Sequence, residues 1–169
     1  NELRTTNADS LEKRGNCYLN LSYFFQKNNI PIAIAYCDSA ELTVHNNSSA
    51  TFLERLYTSR GNLHVESGNM LMAILDYQHG IECQNQYKYD SLKNGYLQIS
   101  IGNLFYTLNQ YQDAKAYFQE AVDLFSNSNI LDKKEGLSIA LNNLGLAELK
   151  LGNSKAALSS FNESLNFLI

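Results

Sequence analysis

Residues 141–164 read LNNLGLAELKLGNSKAALSSFNES, and their spacing recurs upstream. Gly145 is followed by the turn Leu151-Gly152-Asn153, by Ala157 twelve residues after the glycine, by Phe161 four residues later and by Ser164 three beyond that. Residues 98–121, QISIGNLFYTLNQYQDAKAYFQEA, carry the same series as Gly102, Leu108-Asn109-Gln110, Ala114, Phe118 and Ala121. A third copy is Gly61, Ser67-Gly68-Asn69, Ala73, Tyr77 and Gly80. A fainter one precedes it. Ala33, Cys37 and Ala40 fill the alanine, aromatic and small positions, and Tyr18, Leu21, Ser22 and Phe25 repeat the first half with a turn one residue shorter. The alanine marker falls at 33, 73, 114 and 157, in steps of 40, 41 and 43 residues. Four units, approximately 10–47, 48–88, 89–130 and 131–169, account for nearly the whole chain, and fixed periods of this size mark repeat architectures.

Each unit reads as two amphipathic helices. The first helices are expected over 10–27, 49–67, 90–108 and 132–151, the second over 31–46, 70–86, 111–126 and 154–168. Pro31 suits a first helical turn. Ser48 or Ser49, Asp90 and Asn153 are candidate N-caps, and Asp132 with Glu135 has capping-box character. The glycine and the alanine are expected to let two backbones approach closely, with the aromatic filling the groove to the next pair. A lone helical hairpin cannot bury such a face, whereas stacked neighbours can. The expected fold is therefore all-α, a right-handed α-solenoid of four helical hairpins forming a single array.

These markers resemble the tetratricopeptide repeat (TPR). The best copy is Leu141, Leu144-Gly145, Gly152, Ala157, Phe161 and Ser164, and the next is Ile101-Gly102, Phe105, Tyr111, Ala114, Phe118 and Ala121. Two departures stand out. The period is 40–43 residues where the family usually has 34, and Arg60 stands where the other copies have Ile or Leu before the glycine. The resemblance implies that the first helix of each hairpin lines a concave groove. It places Asn62 and Asn103 just after the motif glycine on that groove, with Tyr23 in the equivalent place of the first repeat. Around them it places Asn20, Glu66, Tyr96, Tyr106, Asn142, Asn143 and Lys150. A carboxamide both donates and accepts, and tyrosine adds flat amphipathic contact area, so the row fits capture of a peptide. A chain with 21 Asn also places some on every exposed face. The carboxylate clamp of chaperone-binding members is not expected, because Thr58 and Ile99 stand where its lysine would fall.

Composition narrows the remaining classes. The chain has 169 residues, 44% hydrophobic and 18% charged, enough to bury a core. A net charge of −4 argues against direct nucleic-acid binding. No apolar run reaches the length of a membrane span, so no membrane insertion is expected. Three cysteines, Cys17, Cys37 and Cys83, form neither a disulfide framework nor a zinc set. The sequence lacks the short motifs of hydrolases, kinases and metalloproteases. His79 and Cys83 share a helical face but make only two ligands where metal sites use three or four. No catalytic residue, no metal and no cofactor are expected.

The function expected is non-catalytic binding of a protein or peptide in the concave groove, as the sensor or adaptor part of a larger signalling or regulatory protein. The alternative is a scaffold that dimerises or spaces an effector domain, with a homodimer formed through the apolar C-terminal end Phe167-Leu168-Ile169. The chain reads as a piece of a longer protein. A cytoplasmic location is expected, with the periplasm left open.

Overall fold

A computed structural model describes the backbone of residues 2–44, 48–87, 91–127 and 133–167, with side chains from 10 to 83 and from 92 to 167 within those ranges. Among them are eight helices and no strand: α1 (Glu2–Phe25), α2 (Ile30–Glu41), α3 (Ala50–Glu66), α4 (Met70–Tyr87), α5 (Ser91–Thr107), α6 (Tyr111–Asn127), α7 (Lys133–Lys150) and α8 (Ser154–Asn166). They form two compact units. Asn1–Tyr89 holds the hairpins α1–α2 and α3–α4, and Asp90–Ile169 holds α5–α6 and α7–α8.

The expected helices are all present. α1 starts eight residues before its expected beginning, and α2 ends at Glu41, five residues short. Ser49 caps α3 as expected, its Oγ accepting from the Phe52 amide, and Pro31 lies inside the first turn of α2. Asn29, not among the expected caps, closes the start of α2 by accepting from the Ile32 amide through Oδ1. Glu12 of α1 grips the same Ser49 through its amide (2.8 Å) and hydroxyl (2.6 Å). Asn153 stands at the N-cap of α8 but its side chain makes no cap bond. Asp90 and Asp132 lie outside the described residues.

The three later hairpin turns are one device. Gly68, Asn109 and Gly152 are left-handed, with φ of 79°, 60° and 81°. In each, the next amide reaches back to the helix end: Asn69 to His64 O, Gln110 to Phe105 O and Asn153 to Glu148 O, at 2.8–2.9 Å. This six-residue closure satisfies carbonyls that the last helical turn leaves open.

The glycine marker works differently from the expectation. It makes room for the aromatic of its own hairpin. A Cβ at Gly61, Gly102 or Gly145 would come within 2.6 Å of the ring of Tyr77, Phe118 or Phe161 respectively. The first hairpin shows the complementary solution. Ser22 stands in the glycine position and Cys37 in the aromatic one, and their Oγ and Sγ meet at 3.1 Å, both buried. Burial also pushes the Cys37 thiol up, which keeps it an inert packing group.

One turn beyond this contact, each hairpin has a second cross-helix pair, filled in three ways. Phe25 stacks on Tyr36 (5.6 Å) and Phe105 on Tyr117 (5.3 Å). His64 Nε2 lies 3.7 Å from Asp76, and Ser160 donates to Glu148 at 3.1 Å. The core of the first unit joins Leu19, Ala33, Cys37, Phe52, Leu56 and Leu63, and that of the second joins Ala114, Phe118, Phe125, Leu137, Leu141 and Leu144.

Candidate functional site: the first-helix faces

In the first unit, the exposed face of α1 and α3 is organised by hydrogen bonds that the sequence did not announce. Arg55 of α3 donates through its two Nη atoms to Asn16 Oδ1 (2.7 Å) and Asn20 Oδ1 (3.3 Å) of α1. Asn62, exposed on α3, accepts from the hydroxyl of Tyr77 at 2.6 Å. Tyr77 is buried on α4, and that burial, followed by the nearby charge of Asp76, pushes its phenol up to about 12. Tyr23 is 72% exposed, and Glu66 and Lys27 are exposed on the last turns of this face.

Beneath α3 lies the explanation of Arg60, the departure noted in the sequence. Its guanidinium is buried and spends all five N–H groups. Nε and one Nη bind Asp76 (3.1 and 2.8 Å), and the Nη pair binds Asp38 (2.9 Å) and Glu41 (2.6 and 3.2 Å). α2, α3 and α4 are tied by this one side chain. Burial opposes the Arg60 charge, and the bonds from Glu41 and Asp76 outweigh it. The Arg60 hydrogen bond also holds the Glu41 carboxyl below its usual range. Tyr57 beside it is pushed up to about 12, by burial first and by the Glu41 charge second.

In the second unit, Asn143 Nδ2 of α7 donates to Asn103 Oδ1 of α5 at 3.1 Å, so two predicted residues meet across neighbouring first helices. Asn142 is exposed beside them. Tyr96 is partly exposed and rests edge-on against Phe125 (5.1 Å), while Ile139 and Leu146 are also exposed. Tyr106 packs on Tyr111 (5.3 Å), whose hydroxyl binds Asn109, and Lys150 Nζ lies 6.0 Å from the Tyr111 ring centre. These four residues form a separate corner at the turn end of the hairpins.

The structure thus brings together Asn20 with Arg55 and Asn103 with Asn143, and sets Tyr106 and Lys150 each against Tyr111. It leaves Tyr23, Glu66 and Asn142 as exposed side chains of first helices. Two contributors were missed. Arg55 carried only a registration signal, six residues before Gly61. The hydroxyl that distinguishes Tyr77 from Phe118 and Phe161 is visible in the sequence, but the spacing marks that position only as a packing ring. His79 is exposed and Cys83 half-buried, and no group of three metal-binding side chains forms among the described residues.

Residues 96–128 and 139–167 match the family model of the tetratricopeptide repeat. The chain carries tetratricopeptide repeats, and its fold is of the all-α, TPR-solenoid class. No curated protein matches the sequence. Among solved structures, a signal-transduction ATPase with numerous domains and a tetratricopeptide repeat sensor, from Pyrococcus horikoshii, is 16% identical over 93% of this chain and 24% of its own, with a TM-score of 0.79. BtubC (BKLC) from P. vanneervenii is 14% identical over 90% of this chain and 62% of its own, with a TM-score of 0.76. The apo form of RapI is 17% identical over 96% and 56%, with a TM-score of 0.72. At these identities the likeness is one of fold, and the chain spans less than two thirds of each of these proteins. No described helix is long and apolar enough to cross a membrane.

Proposed function

We propose that the chain is a non-catalytic module that binds a protein or peptide on the first helices of its hairpins, as the sensor or adaptor part of a larger signalling or regulatory protein. The observation that carries this reading is the Asn103–Asn143 pair. It ties α5 to α7 on an exposed face flanked by Tyr96, Ile139 and Leu146. The pair leaves Asn103 Nδ2 and Asn143 Oδ1 unspent, one donor and one acceptor, which matches the C=O and N–H of an extended peptide. The solved structure whose repeats are described as a sensor supports the same role. We read the four hairpins as one array, because the 41-residue step from Ala73 to Ala114 keeps the period through the boundary between the units. With a net charge of −4, nucleic acid is not the ligand of this chain. Three free cysteines support a cytoplasmic location, with the periplasm as the alternative.

The test is selection from a display library of random short peptides. Peptides enriched on the wild-type chain are expected to weaken about tenfold or more on Asn103→Ala with Asn143→Ala. Enrichment indifferent to that double change would remove the ligand from this face.

A second reading has its own observation. Leu158 and Leu165 on α8 are 62% and 55% exposed. They occupy the positions that on α6 are Lys115 and Val122. Lys115 pairs with Glu148 of α7, and Val122 is buried in the core that α7 completes. A homodimer that covers this face gives the scaffold alternative. Phe167 is half-buried beside it, and Leu168 and Ile169 lie outside the described residues. Light scattering over a concentration series would then show a dimer that Leu158→Glu with Leu165→Glu abolishes. A monomer at every concentration rejects it.

A further inference from the structure

We propose that the exposed side of the second helices of the first unit, α2 and α4, docks a basic amphipathic helix of a partner protein. Its apolar stripe would seat on Leu71, Met72 and Leu75, and its lysine or arginine would reach Asp38 and Glu41. This surface lies apart from the first-helix face and goes beyond the function proposed above.

Leu71, Met72 and Leu75 of α4 are 69%, 41% and 48% exposed. Leu75 lies four residues after Leu71 and three after Met72, so the three share one side of the helix. The repeat does not demand an apolar side here. One period earlier the same positions are Pro31, Ile32 and Ala35, all exposed and again apolar. In the second unit they are Gln112, Asp113 and Ala116 on α6 and Lys155, Ala156 and Ser159 on α8. A hairpin therefore forms equally well with polar groups at these places, and the apolar ones of the first unit mark a surface for something else to cover.

The charge beside this patch is one-sided. α2 and α4 contain Asp38, Glu41, Asp76 and Glu82, and neither lysine nor arginine. Arg60 of α3 binds the first three, so one positive charge serves three carboxylates. Asp76 is buried, whereas Asp38 and Glu41 are 59% and 40% exposed and Glu82 is exposed. Asp76 directly follows Leu75, so the shared guanidinium holds the surplus negative charge of α2 at the level of the patch. These charges decide the occupant. A second copy packed on this side would set the same carboxylates against one another. An anionic bilayer would find no lysine or arginine on either helix. A helix that carries lysine or arginine beside its leucines answers both the patch and the surplus charge, and it can lie along the ridge that Leu71 and Leu75 form.

The experiment titrates three fluorescein-labelled helical peptides onto the full chain, read by anisotropy. One is a leucine–lysine peptide with its leucines on one side, the second its leucine–glutamate counterpart, and the third an alanine–lysine peptide of the same charge as the first. The leucine–lysine peptide is expected to bind, less tightly as salt rises, and the other two not to. Leu71→Ser with Leu75→Ser should weaken it about tenfold or more, with helical circular dichroism unchanged because both side chains are exposed. Asp38→Asn keeps an acceptor for Arg60 and should flatten the salt dependence. Leu158→Ser with Leu165→Ser on α8 should leave the affinity as it is, which separates the α4 patch from indiscriminate attachment to exposed leucines. The proposal is overturned if no peptide binds, if either control peptide binds as well as the leucine–lysine one, or if the α4 change weakens binding no more than the α8 change does. It is also overturned if Leu71→Ser with Leu75→Ser abolishes a dimer seen by light scattering, or co-sedimentation with phosphatidylglycerol vesicles, since the face would then belong to a second copy or to a bilayer. Asn103→Ala with Asn143→Ala is expected to leave binding of the leucine–lysine peptide intact, so this proposal and the first-helix reading fail separately.

Discussion

At the scale of single residues, the exchange between a glycine and the ring over it governs the hairpin. The pairing of Ser22 with Cys37 and of Gly102 with Phe118 shows the same space divided in two ways. Gly102→Ala is expected to destabilise by about 1–3 kcal/mol, the usual cost of forcing an extra methyl into a packed interior, because Phe118 is buried and cannot withdraw. Phe118→Cys alone opens a cavity. The two changes together should cost clearly less than their sum, since the alanine methyl then enters space the ring has left. A double-mutant cycle from urea midpoints measures the coupling. Additive effects would mean that glycine and ring do not share that space. This level was partly legible in the sequence. The glycine and ring positions stood out by spacing, but their direct contact did not, because spacing alone does not say which of two neighbouring helices a ring covers.

At the scale of the element, Arg60 is a fastener for α2, α3 and α4. Removing it leaves Asp76, 2% exposed, as a buried carboxylate that has lost its partner. Arg60→Met should therefore cost about 3–5 kcal/mol. Arg60→Ile with Asp76→Tyr, the pair found in the α5–α6 hairpin as Ile101 and Tyr117, should recover most of it. Thermal melts of the single and double variants check this. Failure of the double to recover would place the cost in the lost bonds to Asp38 and Glu41. Glu41 adds a pH dependence. Its carboxyl is held below the usual carboxylate range in the folded chain, chiefly by the Arg60 hydrogen bond. Its contribution is complete above the unfolded value and is lost as pH falls through the folded one. Melting temperature should drop with acidification across that window, and less steeply in Glu41→Gln. Because the carboxylate is 40% exposed, the difference between the two profiles should be small. The sequence flagged Arg60 as out of pattern. Its three carboxylates come from two other helices, at separations that no local motif connects, so the cluster could not be read before the fold.

At the scale of the whole molecule, helix number, order and pairing followed from the period. Hydrophobic spacing recurs in every repeat and left-handed turn residues in the three later ones, and the two reinforce one another. The candidate site was less legible. Register put Asn62, Asn103 and Asn143 on first helices, but which way an amide turns depends on partners such as Arg55 and Tyr77 that register does not reveal. The two compact units lead to a further expectation. A fragment of residues 90–169 contains the core built around Phe118 and Phe125. It is expected to be helical and to unfold cooperatively by circular dichroism. A random-coil spectrum would show that the second unit depends on the first.

The pair one turn beyond the glycine–ring contact also bears on how the chain finds its fold. An array of alike hairpins invites a helix to settle on the partner of a different repeat. Here such an error is penalised chemically. Phe105 set against Asp76 would strand a carboxylate on an aromatic surface, and His64 set against Tyr117 would forfeit a ring stack. Each mismatch lacks a contact that only the correct neighbour supplies. The same variety therefore acts as a key that separates the α3–α4 and α7–α8 hairpins from each other and from the two that share a Phe–Tyr stack, which makes swapped pairings between unlike hairpins poor competitors of the native order.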